Sequence, residues 1–135
     1  MSAQLWALAA VGIVVLAVAG LEAFRSRRAR RLAVGQPAAP AAEPYILYFT
    51  GDSCTVCKTH QEPALSRLGD VRIDKVDAVA ERSLADKFHV YTLPTTVVLR
   101  TNGKALYVNY GYASARKLEG QLADARSGLG ATATA

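Results

Sequence analysis

Residues 45–57, YILYFTGDSCTVC, join an apolar and aromatic run to two cysteines, Cys54 and Cys57, that are separated by two residues. The run YILYFT at 45–50 has the composition of a buried strand, and GDSC interrupts it. From Cys54 to Leu68 the apolar residues recur at helical spacing. The stretch therefore predicts a strand, a turn and a helix, with Cys54 at the start of the helix.

The chain continues as an alternation of strands and helices. Further strands are predicted at 71–77, 95–100 and 104–110, and further helices at 80–90 and 114–126. The dipeptide Asn102-Gly103 is a strong hairpin signal, so the last two strands are antiparallel. The first strand–helix–strand unit implies parallel pairing with a right-handed crossover. The order β-α-β-α-β-β-α predicts an α/β fold with a four-stranded mixed sheet and helices on its faces.

A long apolar run precedes this domain. Residues 3–24 are almost wholly apolar, and as a helix they would be about 33 Å long, close to the hydrocarbon thickness of a bilayer. A secretory signal starts with basic residues, which MSAQ at 1–4 does not contain, and a core helix has a polar face. The sequence predicts a single-pass transmembrane anchor at residues 1–24.

The basic residues are concentrated directly after the apolar run. The chain has 16 Lys and Arg against 11 Asp and Glu, and five of the arginines lie in RSRRARR at 25–31. Nucleic-acid binding requires basic residues spread over a folded surface, so no nucleic-acid partner is expected. Basic residues beside a span stay cytoplasmic and attract lipid headgroups, which predicts a cytoplasmic domain and contact with membrane lipid. An exported domain is the alternative.

Composition also divides the chain into segments. Residues 25–42 are expected to form a basic juxtamembrane segment followed by the Ala/Pro linker LAVGQPAAPAA. Residues 43–126 are expected to form the working domain, and residues 127–135, which end in GATATA, a disordered tail.

Three kinds of site fit the cysteine pair. A structural disulfide with two intervening residues closes too short a loop to stabilise the fold much. Zinc takes four ligands, whereas Cys54, Cys57 and His60 supply three, which suits a soft ion such as Cu(I). In a redox pair, the first thiol lies at the helix start, which lowers its pKa, and the second thiol resolves a mixed disulfide. Asp52 or Ser53 can cap this helix start. The redox interpretation explains most of the local chemistry, and the metal interpretation stays open.

The stretch HVYTLPTTVVLRTNGK at 89–104 resembles the thioredoxin superfamily. In that family a cis proline lies between an aliphatic residue and Thr, just before the hairpin, and the matching residues here are Leu93, Pro94 and Thr95. The resemblance spans about residues 45–125. It implies a minimal thioredoxin-like fold that lacks the family's extra first strand and helix and follows one transmembrane helix.

The same resemblance implies a role for each site residue. Cys54 matches the attacking cysteine and Cys57 the resolving one. The backbone of Leu93, beside Pro94 and Thr95, matches the segment that pairs with an extended substrate strand. The family needs no cofactor beyond an external thiol reductant.

The sequence departs from the family at several positions around the cysteines. Ser53 replaces the family's tryptophan, and Tyr48 replaces the buried aspartate, which leaves Lys75 without that partner. His60, one turn after the second cysteine, is a candidate for proton transfer or for tuning the pair together with Lys75. An exposed helical histidine is the alternative for His60.

These observations predict a membrane-tethered thiol–disulfide oxidoreductase that reduces protein disulfides near the membrane and is recharged by an upstream thiol reductant. Two alternatives remain. One is a Cu(I)-handling module built on Cys54, Cys57 and His60, and the other is a non-catalytic thioredoxin-like adaptor.

Overall fold

A computed structural model describes residues 2–127 of the chain. The helices are α1 Ser2–Ala33, α2 Glu62–Ser66, α3 Arg82–Lys87 and α4 Ala115–Ser127, and the strands are β1 Tyr45–Thr50, β2 Ile73–Asp77, β3 Thr95–Leu99 and β4 Ala105–Tyr110. A π-helical turn, Cys57–Gln61, runs directly into α2. The predicted tail begins at the last residue of α4, and the rest of it lies outside the described residues.

The four strands form one mixed sheet in the order β2-β1-β3-β4. Strand β1 is parallel to β2 and antiparallel to β3, and β3 is antiparallel to β4. The parallel pair is joined through the cysteine turn and α2, because parallel neighbours need a crossover connection. The predicted four-stranded mixed sheet is therefore confirmed.

Strand β1 is central, and every residue of it is buried. Successive residues of a strand point to opposite faces, so a wholly apolar strand feeds two cores. On one face Phe49 packs against Phe88 next to α3, with ring centroids 6.1 Å apart. On the other face Ile46 and Tyr48 lie in one cluster with Leu118 of α4. This position places the cysteines that follow β1 at the second core, where Cys57 is a buried member and Cys54 packs against it.

Helix α1 is longer than the apolar run. It has 32 residues, and its most apolar window has a mean hydropathy of 2.3, with all of that window exposed. Among the residues that the structure describes, it is the one helix long and apolar enough to cross a membrane. The helix continues without a break through the arginine cluster to Ala33, which is completely buried.

Residues 25–42 differ from the expected juxtamembrane segment and linker, because they are fastened to the domain. Arg30 Nε donates a hydrogen bond to the carbonyl oxygen of Val108 in β4 (3.1 Å). After the helix, backbone hydrogen bonds tie the chain to the β3–β4 hairpin: Gly35 N to Ala105 O (2.8 Å), Ala105 N to Gln36 O (3.0 Å), Ala38 N to Gly103 O (2.7 Å) and Ala41 N to Thr101 O (3.0 Å). Strand β4 is an edge strand, so backbone N–H and C=O groups on its outer side have no partner strand within residues 2–127. The uncharged, Ala-rich residues 35–41 form hydrogen bonds with backbone groups near the hairpin turn.

The predicted turn at Asn102-Gly103 is where this segment comes closest to the hairpin. Gly103 has a φ of +82°, and a Cβ at this position would collide with the carbonyl oxygen of Ala38. Only glycine meets both requirements, the positive φ and the close approach of a second backbone.

Candidate functional site

The two cysteines form a disulfide just beyond the carboxyl end of β1, with their Cα atoms 5.3 Å apart. Cys54 lies in the turn after the strand and is partly exposed, whereas Cys57 begins the π-helical turn and is fully buried. Solvent therefore reaches Cys54, whereas Cys57 is inaccessible to it.

The sulfur of Cys54 accepts a hydrogen bond from the backbone N–H of Cys57 (N to Sγ 3.2 Å). From the sequence, the side chain of Asp52 or Ser53 is the expected cap at this helix start. Asp52 contributes its main-chain carbonyl instead, which accepts from Lys58 Nζ (2.9 Å). An N–H at the start of a helix that points at a sulfur stabilises negative charge on it.

The π-helical turn and the first residues of α2 hold Cys57 in place. The N–H of Glu62 bonds to the carbonyl of Cys57, five residues earlier, and Pro63 follows within the first turn of α2. Proline has no N–H and crowds the carbonyl four residues before it, which accounts for the wider turn here. Gln61, fully buried, makes a reciprocal pair with Ala113: its Nε2 donates to Ala113 O (3.0 Å), and Ala113 N donates to its Oε1 (2.9 Å).

The loop before β3 forms the second part of the site. The peptide bond between Leu93 and Pro94 is cis, and Pro94 is buried. The Leu93 side chain lies directly over Gly51, since a Cβ on that glycine would be only 3.1 Å from Leu93 Cδ1. Thr95, also buried, donates its hydroxyl to the carbonyl of Thr92 (2.8 Å). The fold thus brings the loop of Leu93, Pro94 and Thr95 against the cysteine turn.

An open groove of about 630 Å³ extends from the cysteine turn toward α1. Cys54 and Leu93 line it at one side, and Arg25 of α1 lines it at another, together with Arg82 and Asp86 from α3. Tyr91, two residues before Leu93, also lines the groove. The position of Arg25 at the site was not expected from the sequence. Ala29 and Ala33 follow Arg25 by four and eight positions and so lie on the same face of α1. Small residues at this spacing indicate that this face packs against another part of the protein.

The wall formed by Tyr91 is supported from both sides. The guanidinium of Arg25 lies 4.7 Å from the centroid of the Tyr91 ring, which in turn packs on Tyr110 at 4.9 Å. The hydroxyl of Tyr110 donates to the carbonyl of Phe88 (3.0 Å). Burial is the main cause that raises the pKa of Tyr110 to about 12, with a smaller contribution from Tyr91.

Lys75 has an acidic neighbour that the sequence analysis missed. Its Nζ lies 3.3 Å from Oε1 of Glu62, whose Oε2 accepts a hydrogen bond from the Tyr48 hydroxyl (3.2 Å). Burial raises the pKa of Tyr48 above its usual value, and the charge of Glu62 contributes in the same direction. The carboxylate near Lys75 therefore comes from α2 and not from β1, where the family has its aspartate.

His60 is exposed and turned toward other side chains of the surface. Its Nδ1 is 2.8 Å from the Thr59 hydroxyl, and its ring lies edge-on to Tyr112 at 6.1 Å. Within residues 2–127 no three His, Cys, Asp or Glu side chains converge in an arrangement that suits a metal ion.

The solved structures that resemble this fold include several thioredoxins. Thioredoxin-2, a component of malaria parasite protein secretion machinery, is 27% identical, with a TM-score of 0.55 over 66% of this chain and 96% of its own. Oxidized mitochondrial thioredoxin 3 from Saccharomyces cerevisiae is 27% identical, with a TM-score of 0.52 over 61% and 78%. A mutant thioredoxin from Halobacterium salinarum, at 22% identity and a TM-score of 0.56 over 62% and 75%, shares the fold. No protein-family model and no curated protein matches the chain.

The similarity to these structures lies in the fold, and this chain carries its own disulfide site on that fold. A disulfide between cysteines two residues apart follows the central strand, and a cis proline loop packs against it. The site and the fold were both expected from the family motifs in the sequence. The chain therefore resembles the thioredoxins in its fold, and its Cys54–Cys57 disulfide is consistent with the thioredoxin superfamily.

Proposed function

We propose that the protein is a membrane-tethered thiol–disulfide oxidoreductase that reduces protein disulfides. The observation that carries this proposal is the Cys54–Cys57 disulfide, in which Cys54 is partly exposed at a groove and Cys57 is buried. That asymmetry assigns different roles to two otherwise equivalent cysteines. The thioredoxin-like fold supports a thiol–disulfide reaction as the kind of chemistry.

In the first step the reduced pair attacks the substrate. The thiolate of Cys54 attacks one sulfur of the substrate disulfide, a Cys54–substrate disulfide forms, and the substrate S–S bond breaks. The second substrate sulfur leaves as a thiolate and takes a proton from solvent. The N–H of Cys57, which points at Cys54 Sγ in the oxidised state, would stabilise the thiolate before the attack.

In the second step the buried cysteine closes the cycle. The Cys57 thiol loses its proton, and its thiolate attacks Cys54 Sγ, which releases the remaining substrate thiolate. Two electrons have then passed to the substrate, and the Cys54–Cys57 disulfide has re-formed, which is the state seen here. A thiol reductant returns two electrons to the pair.

Substrate binding is proposed for the loop at Leu93-Pro94-Thr95. This loop contacts the turn that carries Cys54 through Leu93 and Gly51, so a substrate strand along it would present its disulfide to the exposed sulfur. His60 and Lys75 remain candidates for tuning the pair, Lys75 through its contact with Glu62.

The reducing direction and the cytoplasmic side are proposed together. The arginines that follow the apolar run favour a cytoplasmic domain, and the cytosol holds thiol pairs reduced. A midpoint potential near or below about −230 mV would agree with a reductase in that compartment. A midpoint between about −120 and −180 mV would instead favour an oxidant on the exported side.

The cysteine roles are tested with the full chain in detergent micelles, a disulfide peptide and dithiothreitol as the electron source. Cys54→Ser is expected to lower the rate to that of dithiothreitol alone, whereas Cys57→Ser, reduced beforehand and freed of dithiothreitol, is expected to accumulate a covalent adduct with the peptide that mass spectrometry detects. Full activity of Cys54→Ser would rule out this mechanism.

Sidedness is tested separately, in intact cells. The cells are first treated with dithiothreitol to open the Cys54–Cys57 disulfide. If the domain is cytoplasmic, a membrane-impermeant thiol reagent then leaves Cys54 unlabelled until the cells are permeabilised. Labelling of intact cells would place the domain on the exported side.

A further inference from the structure

Helix α1 connects the apolar run to the reactive groove without a flexible joint. The apolar run ends at Phe24, and the same helix continues for nine more residues to Ala33. The last turns are fixed to the domain by the bond from Arg30 to Val108 O and by the complete burial of Ala33. The chain beyond the helix is bonded to the β3–β4 hairpin. The domain therefore follows the anchor as one body.

The groove lies at the point where this helix leaves the apolar run. Arg25, the first residue after Phe24, lines the groove that also contains Cys54, and its guanidinium contacts Tyr91. One residue of helix is about 1.5 Å along the axis, whereas the headgroup layer on each side of a bilayer is about 5 to 7 Å thick. With residues 3–24 across the hydrocarbon, the Arg25 wall of the groove is at headgroup height.

From this geometry we infer that the substrate disulfide belongs to a membrane protein and lies within a few residues of that protein's own membrane-spanning segment. The inference rests on the proposed function, including the membrane tether. A disulfide held far above the bilayer cannot reach a groove at headgroup height, and a domain fixed by α1 cannot rise to meet it. The cationic side chains Arg25 and Arg82 at the groove suit the anionic surroundings of such a segment.

The test uses the full chain in vesicles of phosphatidylcholine and phosphatidylglycerol, with dithiothreitol as reductant. Two peptides carry the same membrane-spanning helix and the same disulfide loop. In the near peptide the loop follows the span directly, and in the far peptide a helical spacer of about 20 residues raises it by about 30 Å. We expect the near peptide to be reduced at least about tenfold faster, since its effective concentration at the groove is higher.

The matched variant carries about 20 Gly and Ser residues inserted between Phe24 and Arg25, which gives a mean reach of about 25 Å. The insertion leaves the contacts of Arg25, Arg30 and Ala33 within the domain unchanged. We expect the preference to fall to within about twofold, because the domain can now reach both loops. A soluble disulfide peptide reports whether both chains are equally active.

Three outcomes would count against the inference. Equal rates on the near and far peptides by the original chain would overturn it while leaving the proposed function intact. A preference that survives the insertion would also overturn it, because α1 would then not set the choice. If neither chain reduces even the soluble peptide, the proposed function itself is wrong, and the inference falls with it.

Discussion

At the scale of single residues, the sequence was sufficient to find the residues whose positions are set by a motif. Cys54, Cys57 and the Leu93-Pro94 pair belong to local patterns that recur in the family, and the structure brings them together. Glu62 was missed because a single glutamate in a helix has no signature. Its contact with Lys75 depends on how α2 packs beside β2, which is a long-range property.

The reciprocal pair between Gln61 and Ala113 predicts a specific loss of stability. Gln61→Ala removes both hydrogen bonds and leaves the buried N–H and C=O of Ala113 without their partners, which costs about 1–3 kcal/mol. Urea unfolding in micelles would show this as a lower midpoint. Gln36→Ala, at a partly exposed glutamine bonded to Leu32 O, serves as the control and should change little. Equal midpoints for the two variants would contradict the structural role of Gln61.

Tyr110 predicts a loss of stability in alkaline solution. Its pKa is raised from 10.0 to about 12, chiefly by burial, so the folded state favours the neutral phenol. The stability that this gives is fully present below pH 10 and is lost as the pH rises toward 12, because the unfolded chain releases the proton first. Urea midpoints measured across this range should fall, and they should fall less steeply in Tyr110→Phe. Identical slopes would show that other groups, such as Tyr48, dominate.

At the scale of secondary-structure elements, the strands were predicted closely and the end of α1 was not. Strand β1 was predicted with its observed bounds, because a continuous apolar run between polar turns has few other interpretations. The segment after Phe24 was interpreted by its charge and its prolines, which suggested a solvated spacer. The packing of Ala29 and Ala33 against the domain depends on a partner surface that the local sequence does not contain.

Ala33 offers a direct test of how α1 is attached. Ala33→Glu places a charge where the side chain is completely buried, so the end of the helix should separate from the domain. Trypsin should then cleave the arginine cluster faster, by about tenfold for each 1.4 kcal/mol of docking energy that is lost. Leu32→Glu, at the neighbouring exposed position, should leave the cleavage rate close to that of the original chain. Equal cleavage of all three chains would mean that the helix end is not docked.

At the scale of the whole molecule, the boundary drawn from composition and the one drawn from contacts are different. Composition suggests a domain that starts at residue 43, whereas the contacts with the domain begin at Arg25, and those with the sheet at Arg30. The difference arises because residues 35–41 contribute backbone hydrogen bonds to the hairpin and few side chains to the core. Such pairing leaves little trace in a hydrophobicity pattern.

Two shortened chains would separate these boundaries. A chain of residues 25–135 should keep the stability of the domain, because it retains every contact from Arg25 onward. A chain of residues 43–135 should lose about 1–3 kcal/mol and should self-associate, because the end of β4 is uncovered. Urea unfolding and size-exclusion chromatography measure the two effects. Equal midpoints and a monomeric shorter chain would show that residues 25–42 add nothing to the fold.

The unbroken helix α1 also works as a lever arm. A membrane-spanning helix tilts by about 20° on average, and it tilts further when the bilayer is thinner than its apolar length. Because α1 has no hinge between its apolar run and Ala33, any tilt swings the whole domain and moves the Cys54 groove sideways and downward. In the proposed membrane-tethered oxidoreductase, bilayer thickness would thereby be coupled mechanically to the position of the disulfide, and lipid composition would set which target cysteines the domain can reach.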